Sequence, residues 1–521
     1  MTAPRRAESM SASLSASLFA LSLAAPLGLA SVANAQGIAQ LWTNNCISCH
    51  GTRAQGGSAP TMLDDQHRDS EAWPGKGKKT NREMFDAIKR GHEPLGMPSF
   101  GEVLKDAEIW GLVNHLRELQ NAARRKNEGD PKPDGKGVYT SAHHKFTIEK
   151  VVTKGISIPW AVDFLPSADP TKVGAMLITE RSGKLRSFDA AADGGKGKLS
   201  APITNIPAVL ASGQGGLMEV TVHPDYAKNG LVYLAYSDAG ETGRKGMTKI
   251  VCGKITDGAW TEEKTIFEAP AETYVSNSGL HYGSRIVFTE PSKEDKAGRR
   301  YMYFCIGERG RGDHAQELTR PSGKVHRVWE DGEIPGDNPF VAQEKAIKSI
   351  WSYGHRNPQG MVIDLNGNLW DTEHGPRGGD ELNLIAKGAN YGWPKVSFGI
   401  NYNGAALGVP WPELAGKAVE DLNINMPKLV WLPSTGVCGL DMARPGPAGE
   451  AFPKWKGDLF AGGLAGQSVD RLRVTADGAV TEREEIIHGL GRVRDVATGP
   501  DGSIYIVLND PDHVVRVAPV K

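Results

Sequence analysis

The pentapeptide Cys46-Ile47-Ser48-Cys49-His50 combines two thiols with an adjacent imidazole. This C-x-x-C-H spacing is the attachment signature of haem c: Cys46 and Cys49 would form the thioether bonds, and His50 would ligate the iron. A lone C-x-x-C also suits a disulfide or half of a zinc site. No second C-x-x-C and no H-x3–5-H pair follows within range, so a zinc site would lack ligands. The motif therefore predicts a covalent haem.

A haem iron needs a sixth ligand or an open site, and Met97 is our predicted ligand. It lies in Gly96-Met97-Pro98-Ser99-Phe100, a loop restrained by the proline. Methionine and histidine ligation together favour electron transfer and raise the reduction potential. We expect Met84 in a helix core and His115 as a packed or surface residue. The full set of competing ligands is Met62, Met84, His67, His92 and His115.

A one-sided apolar stripe follows this loop and predicts a helix over 106–123. With a short helix before Cys46, the pattern resembles class I cytochromes c, in which C-x-x-C-H comes early and M-P-x-F late. We therefore place a small all-α cytochrome c domain at 36–126. The stripe comprises Ile109, Leu112, Val113, Leu116 and Leu119.

The residues before this domain have the features of an export signal, predicted at 1–35. Arg5 and Arg6 precede an apolar stretch, and Ala33-Asn34-Ala35 offers a small-x-small cleavage pattern. A retained anchor is the alternative, although the stretch is short and interrupted for a bilayer span. Export predicts a soluble periplasmic protein, which agrees with haem c because its attachment occurs outside the cytoplasm in bacteria.

The residues after the domain, 127–142, are charged and broken by proline and glycine. They are predicted to form a linker, with a docked connecting segment as the alternative.

Whole-chain composition excludes several classes of protein. Its 521 residues carry a net charge of −1, which removes any global case for nucleic-acid binding or adhesion to membranes. No other apolar run is long enough to span a membrane. The 63 glycines and 32 prolines predict many turns and short strands. Five cysteines are too few for a dense disulfide scaffold; Cys252, Cys305 and Cys438 are expected to be buried, with one disulfide among them as the alternative.

The remainder, 143–521, repeats one unit six times: an apolar strand, a turn rich in Pro, Asp and Gly, and a second apolar strand. Six such units predict a mainly β fold, a six-bladed β-propeller whose blades carry insertions. The first strands begin at Trp160, Met218, Arg285, Met361, Leu440 and Val493, and the second strands at Ala175, Gly230, Tyr301, Asn368, Gly457 and Gly502.

In such a ring, the segments before each first strand and after each second strand should meet on one face. They hold a histidine, several arginines, Asn and Gln side chains, and Gly-Pro backbone. This combination predicts a site for a polyanionic ligand that accepts hydrogen bonds. The segments concerned are 279–284, 354–360, 433–439 and 489–492, together with 180–181, 307–311, 373–376 and 462–467.

Several of these segments occur together in one known family. The motifs 354–360 (GHRNPQG), 373–383 (EHGPRGGDELN), 390–394 (NYGWP) and 492–495 (RVRD) closely resemble soluble aldose dehydrogenases of the glucose/sorbosone type. These are six-bladed quinoproteins that use pyrroloquinoline quinone (PQQ) and calcium. The resemblance spans about 150–520, with the motifs in the family's order.

The resemblance implies catalytic roles for two side chains. His281 matches the general base that removes the proton of the anomeric hydroxyl. Arg356, Asn357 and Gln359 match residues that hold the quinone, with Arg356 near its reactive carbonyl. Glu308 takes the place of an aspartate in the family's substrate-side Ile-Gly-Asp segment.

It also implies ligands for carboxylates and for calcium. Arg492 and Arg494 match residues that grip the carboxylates of PQQ; an ordinary salt-bridged pair is the alternative. Gly375 and Pro376 match positions whose backbone carbonyls bind calcium. Asp380 and Glu381 match a region tied to a second calcium; charges of a solvated loop are the alternative.

One position departs from the family pattern. Glucose-specific relatives have a lysine that contacts PQQ where this chain has Ala465. Alanine cannot make that contact, which puts the PQQ affinity and a glucose-specific identity in question. His223, His326 and His488 are expected at the surface or in turns.

Taken together, the sequence predicts a periplasmic quinohaemoprotein that oxidises a sugar to a lactone and passes electrons through its haem to an external acceptor. A calcium-dependent hydrolase of the lactonase type would leave the cytochrome unexplained. A non-enzymatic binding propeller with a cytochrome is the other alternative.

Overall fold

The protein is described by a computed structural model that covers residues 37–70, 72–73, 78–169, 172–240, 243, 245–405 and 423–520. The predicted export signal lies outside the described residues. Within the described ranges, no helix has both the length and the apolar character needed to cross a bilayer.

Four helices build the N-terminal part. Helix α3 begins with a capping box, in which Thr80 and Glu83 each accept a backbone hydrogen bond from the other. Helices α1 and α4 cross closely at Gly111, where an added Cβ would lie 2.3 Å from Ile38. The helices are α1 (Ile38–Asn45), α2 (Ile47–His50), α3 (Asn81–Arg90) and α4 (Asp106–Glu128), with a 3₁₀ turn at Glu93–Leu95.

The predicted stripe of α4 forms the core of these helices. Four of its five residues are buried, and Leu119 packs against them half-buried. Phe85 of α3 stacks on Trp110 of α4 with ring centroids 4.4 Å apart. Met84 is buried in the same cluster, as predicted.

The connection to the second part is shorter than the predicted linker. Helix α4 runs to Glu128, and strand β1 already begins at Val138. The segment without regular structure is therefore 129–137.

Six antiparallel sheets form the remainder. Blade 1 contains β3 (Pro159–Phe164), β4 (Met176–Glu180), β5 (Lys184–Asp189) and β6 (Lys198–Leu199). Blade 2 contains β7 (Leu217–Val222), β8 (Val232–Asp238), β9 (Lys245–Thr256) and β10 (Ala259–Phe267), with β11 (Val275–Ser276) paired to β9. Blade 3 contains β12 (Ile286–Pro291), β13 (Arg300–Ile306), β14 (Lys324–Trp329) and β15 (Ile350–Tyr353).

Blade 4 contains β16 (Pro358–Ile363), β17 (Leu369–Glu373), β18 (Asp380–Ile385) and β19 (Leu429–Trp431). Blade 5 contains β20 (Val437–Met442), β21 (Leu459–Gly463), β22 (Ser468–Val474) and β23 (Val480–His488). Blade 6 contains β24 (Arg492–Thr498), β25 (Ile504–Asn509), β26 (His513–Pro519), β2 (Lys145–Val152) and β1 (Val138–Thr140). Short helices α5 (Ala192–Gly195) and α6 (Tyr226–Asn229) and 3₁₀ turns at Ala271–Thr273, Gly312–Gln316 and Pro453–Trp455 lie between strands.

The predicted six-bladed propeller is confirmed. The first strand of each blade contacts the first strand of the next, from β3 through β7, β12, β16, β20 and β24 back to β3, so the ring is closed. The two strands predicted for each repeat are the first and second strands of its blade. Blade 6 is completed by β2, which pairs with β26, so residues far apart in sequence close the ring.

Buried charges join four blades. Arg285, in blade 3, donates to Asp495 of blade 6 at 2.6 Å and lies 3.1 Å from Glu219 of blade 2. The other oxygen of Asp495 accepts from the backbone N–H of Val162 in blade 1. Burial lowers the pKa of Arg285, but the two carboxylates outweigh it and raise that pKa above its ordinary value.

Two expectations about isolated side chains had different outcomes. The prediction for His326 was wrong: it is wholly buried in β14 and stacks on Phe304, and burial lowers its pKa to about 3. Cys252, Cys305 and Cys438 are buried as predicted, and all three are free thiols.

We expect Arg285→Ala to lower the free energy of unfolding by about 3–5 kcal/mol, because it leaves two buried carboxylates without their cation. Chemical unfolding followed by tryptophan fluorescence measures this. Lys228→Ala, which removes an exposed charge paired with Asp225, should change the value by no more than about 0.5 kcal/mol. Equal effects of the two variants would contradict the role given to Arg285.

Candidate functional site

A buried histidine–glutamate pair lies between blades 2 and 3. The Glu308 carboxylate contacts Nδ1 of His281, and both side chains are more than nine-tenths buried. This contact leaves Nε2 as the ring nitrogen that can take up a proton from a ligand. Burial and the nearby guanidiniums of Arg356 and Arg309 lower the pKa of His281, while Glu308 opposes them.

The backbone holds His281 in a conformation that non-glycine residues rarely adopt. Its φ is 52°, and Arg309, two strands away in sequence, has a φ of 62°. The N–H of His281 donates to Oε1 of Gln214 at 2.8 Å, and its carbonyl accepts from the N–H of Arg309. Positive φ values of this kind cluster at functional sites because the surrounding structure must enforce them.

Blade 4 contributes the side chains of the Arg-Asn-Pro-Gln motif. The backbone carbonyl of Arg356 accepts from the N–H of Glu308, which brings this motif beside the histidine. Arg356 Nη1 donates to the carbonyls of His374 and Gly375, at 3.1 and 2.8 Å. Gln359 donates to Oδ1 of Asn357 at 3.0 Å.

Blade 6 adds Arg494 on the same face, beside Cys438 of blade 5. Arg494 lies 4.1 Å over the ring of Trp160 and 3.8 Å from the thiol of Cys438, which in turn contacts Gln359. Burial, with help from Arg492, lowers its pKa. These contacts bring together five of the eight predicted segments, namely 279–284, 307–311, 354–360, 373–376 and 433–439.

The site is cationic and incompletely satisfied. Within the described part of the chain, no carboxylate lies within 4.0 Å of Arg492 or Arg494, so the salt-bridged alternative is not supported. Buried polar atoms there also lack a hydrogen-bond partner. These atoms are Oε2 of Glu308, Nη1 of Arg309, Nε of Arg356 and Nε2 of His374. Unpaired buried donors beside arginines suit an anionic ligand rich in acceptors, as predicted.

Asp380 is an anchor for two loops. Its Oδ1 accepts from the N–H of Gly375 and from the hydroxyl of Ser434, and its Oδ2 accepts from the N–H groups of Thr435 and Val437. It is fully buried, so the alternative of a solvated loop charge was wrong for this residue. Because its own chain supplies four donors, Asp380 does not fit the second calcium site implied by the resemblance.

Glu381 is half-buried and lies beside the buried acids Asp371 and Glu373 of blade 4. Burial and the neighbouring Glu373 raise its pKa well above the ordinary value. No group of three or more His, Cys, Asp or Glu side chains suited to a metal ion occurs among the residues that the structure describes. The carbonyl oxygens of Gly375 and Pro376 are hard ligands of the type calcium prefers.

Ala465 lies on the Gly463–Gln467 turn and is exposed, and its N–H donates to the carbonyl of Thr435. Its methyl group offers no charge to a ligand.

The C-x-x-C-H motif lies where α1 passes into α2. Cys46 and Ile47 pack against the apolar cluster, and Cys49 is exposed. His50, on the last turn of α2, lies with its ring 6.4 Å from that of Trp42. Burial lowers the pKa of His50, which favours the neutral form that ligates iron. Two free thiols, a neutral imidazole and an adjacent apolar wall fit a covalent haem.

Met97 follows the 3₁₀ turn Glu93–Leu95 in a loop that pairs with His92 through two backbone hydrogen bonds. It is half-buried and belongs to no helix. His115 contacts Trp42 and Glu118, as expected for a packed histidine.

Comparison with known proteins identifies the family of this chain. Residues 156–516 match the family described as Glucose / Sorbosone dehydrogenase, over more than two thirds of the chain. The chain belongs to this family. Residues 33–116 match the family described as Cytochrome C oxidase, cbb3-type, subunit III, so an N-terminal cytochrome c domain precedes the dehydrogenase propeller.

Individual relatives support the same family assignment. The aldose sugar dehydrogenase YliI of Escherichia coli is 38% identical over 71% of this chain and 92% of its own length. The quinoprotein glucose dehydrogenase B of Acinetobacter calcoaceticus is 26% identical over 59% of this chain and 76% of its own. The crystal structure of the soluble aldose sugar dehydrogenase from Escherichia coli in the apo-form is 36% identical, covers 72% of this chain and 100% of that chain, and has a TM-score of 0.60.

Sequence reasoning missed Gln214, and it placed Arg309 and His374 in the converging segments without giving either a role. Gln214 precedes a first strand, and the other two follow second strands, so the loop rule that found His281 also covers them. What the rule lacks is a reason to choose among polar residues within one loop. That choice depends on backbone conformation, here the positive φ at His281 and Arg309.

We expect the imidazole of His281 to titrate below its ordinary value of 6.5, which NMR of isotopically labelled histidine measures. Arg356→Met should raise this pKa by removing a positive charge. Glu308→Gln should lower it further by removing the carboxylate that favours the imidazolium. Lys254→Met, a change at an outer strand of blade 2, should leave it unmoved. A pKa at or above 6.5 in the unsubstituted protein would contradict the electrostatics described.

Proposed function

We propose that the protein is a PQQ-dependent aldose dehydrogenase that acts outside the cytoplasm and passes electrons through its own haem c to an external acceptor. The observation that carries the proposal is the buried His281–Glu308 pair beside arginines that have no carboxylate partners. The dehydrogenase activity of the relatives supports it. The reaction removes two electrons and two protons from the anomeric carbon and hydroxyl of a sugar, which leaves a lactone.

His281 is the proposed general base. Glu308 holds its Nδ1, so Nε2 takes the proton of the anomeric hydroxyl. The lowered pKa keeps the imidazole neutral and able to accept that proton near neutral pH. Glu308 then stabilises the imidazolium that forms.

The cofactor would be held by the cationic face of the ring. Arg492 and Arg494 would bind the carboxylates of PQQ, and Asn357 and Gln359 would donate to its acceptor atoms. When bound, PQQ supplies a quinone carbonyl that accepts the hydride. Arg356, whose Nε has no partner in the described residues, would stabilise negative charge on the oxygen.

A calcium ion would use the carbonyl oxygens of Gly375 and Pro376. The Gly375 carbonyl accepts from Arg356 in the structure, so an ion there would compete with that bond. Asp380 keeps the loop in place through the N–H of Gly375.

Haem c would be held by Cys46 and Cys49, with His50 and Met97 as iron ligands. The same proposal includes a periplasmic location, the predicted export signal and an external acceptor. These belong together because haem c is attached, and meets its partners, outside the cytoplasm.

We expect His281→Asn to lower the rate of aldose oxidation by at least about a hundredfold, because it removes the base. Reduction of a small dye acceptor, with PQQ and calcium added, measures the rate. PQQ binding, measured by calorimetry, should be retained. His143→Ala, which removes a surface histidine paired with Glu482, is the matched control and should stay active.

The same assay separates the alternatives. Lactone hydrolysis without quinone would identify a hydrolase, and PQQ binding without oxidation of any aldose by the unsubstituted protein would identify a binding propeller. Either result would contradict the proposal.

We expect Met97→Ala to lower the reduction potential of the haem and to change the spectrum of its ferrous form, because it removes the thioether ligand. Potentiometric titration followed by absorption spectroscopy measures both. Met84→Leu, in the helical core, is the control and should keep the spectrum. A spectrum that changes with Met62→Leu and not with Met97→Ala would assign the ligand to Met62.

A further inference from the structure

The cytochrome domain and the propeller share an extended interface, and one of its contacts lies directly beside the loop that carries Gly375 and Pro376. The next residue, Arg377, forms two hydrogen bonds with the carboxylate of Glu118 on α4, at 3.0 and 2.9 Å. Burial opposes ionisation of Glu118, but its bonds with His115 and Arg377 outweigh it and lower its pKa. A forked arginine–carboxylate contact of this kind fixes orientation as well as distance.

One helical turn away, α4 contacts the propeller backbone directly. The buried side chain of Asn114 donates to the carbonyl of Phe398 at 2.9 Å. Gly378 approaches so closely that an added Cβ would lie 2.6 Å from Oδ1 of Asn114. Such a close approach to a buried, hydrogen-bonded amide is typical of a packed interior.

The propeller also contributes to the cytochrome core. Ile400 is buried in the same apolar cluster as Ile38 and Trp42. The backbone of Ile400 pairs with that of Arg377 through two hydrogen bonds, at 3.0 and 2.8 Å. The N–H of Ile38, at the start of α1, donates to the carbonyl of Gly404. Ile400, which pairs with Arg377 beside the Gly375–Pro376 loop, is therefore part of the core of the cytochrome domain.

A second contact lies toward the far end of α4. Arg124 and Arg125 both reach Glu485 of blade 5, at 3.1 and 2.9 Å. Arg483 donates to the carbonyl of Ala72 and lies 4.2 Å over the ring of Trp73. Two separated contacts on one helix prevent it from pivoting about either.

From the first contact, side chains lead to the predicted iron ligand without interruption. Glu118 lies 3.6 Å from Nδ1 of His115. The rings of His115 and Trp42 are 5.7 Å apart, and those of Trp42 and His50 are 6.4 Å apart. His50 is thus joined to the Gly375–Pro376 loop through α4 and α1.

We propose that the haem domain is docked permanently on the propeller through this interface, and that Asn114 and Glu118 are positioning residues for electron transfer within the chain. The inference rests on the proposed function, because the loop at Gly375 and Pro376 is its cofactor loop. A domain held only by the segment 129–137 would have to find the site by diffusion at an effective concentration set by that tether. A docked domain holds the two redox centres at one distance.

The external acceptor makes the number of electrons released by the sugar equal to the number taken up. Oxidation of one aldose releases two electrons and two protons, whereas the ferric haem takes up one electron to become ferrous. A one-electron acceptor, such as ferricyanide in the assay, must therefore reoxidise the iron after each electron. Docking governs the transfer to haem and not the oxidation of the sugar.

The test uses the full chain loaded with haem, PQQ and calcium, mixed with an aldose in a stopped-flow spectrometer. We expect Glu118→Arg to slow haem reduction by at least about tenfold, because it places two cations in contact at the interface. Reduction of a small dye that accepts electrons directly from the propeller should be unchanged. Combining Glu118→Arg with Arg377→Glu should restore most of the haem rate, which loss of folding could not do.

A second readout needs no cofactor in the propeller. In the haem-loaded chain without PQQ, hydrogen exchange of the 398–404 segment should be at least about tenfold faster in Asn114→Ala and in Glu118→Arg. Lys254→Glu, which reverses a charge paired with Glu262 at an outer strand of blade 2, is the matched control and should change neither readout.

The two proposals fail in different ways. Unchanged exchange and an unchanged haem rate in Glu118→Arg would overturn permanent docking. Dye reduction absent from the unsubstituted protein, with faster exchange in the interface variants, would overturn the dehydrogenase proposal and leave the docking intact. A swapped double variant no faster than Glu118→Arg alone would show that the Arg377 contact does not position the haem domain.

Discussion

The ring depends on a charge network buried where its innermost strands meet. Arg285 joins Glu219 and Asp495, and Asp495 also accepts from the backbone of Val162, so four blades share one set of bonds. Removing a guanidinium from water is costly unless its partners are also fixed, which makes this network sensitive to the placement of every strand that contributes. The network also reaches the site, since Arg285 follows His281 by four residues and Asp495 directly follows Arg494. His281 and Arg494 are thus held near the same buried charges.

In the candidate site, by contrast, buried charged and polar groups lack partners. Its arginines have no carboxylate partners, its histidine has an unfavourable φ, and several buried donors are unpaired. Each feature costs free energy in the ligand-free protein, and an anionic ligand would recover part of it. The stability needed to maintain such a site comes from the closed ring and from Asp380, which joins the loop at Gly375 to residues 434–437 beside blade 5.

Much of this could be predicted from the sequence, because the informative patterns are local. The C-x-x-C-H motif, the stripe of α4 and the two inner strands of each blade each depend on a few neighbouring residues. The outer strands, the pairing of β2 with β26 and the burial of His326 depend on distant partners, and none was predicted. Asp380 shows where prediction from the sequence ends. Its motif predicts a role for this residue, but only the positions of the Gly375 and Val437 N–H groups show that its carboxylate accepts hydrogen bonds from the backbone. The docking of α4 on the propeller is likewise not predictable, because nothing in the sequence around Phe398 and Ile400 indicates that they contact the cytochrome domain.

The closure of blade 6 sets an order of assembly. Lys150 pairs with Val515, so the ring cannot close until the polypeptide through β26 has been made. The haem domain precedes β2 and has its own helices. Its final core, however, includes Ile400 from blade 4. The core of the haem domain and the last blade of the ring are therefore both completed by residues far downstream in the chain, so neither domain reaches its final packing before most of the polypeptide has been made.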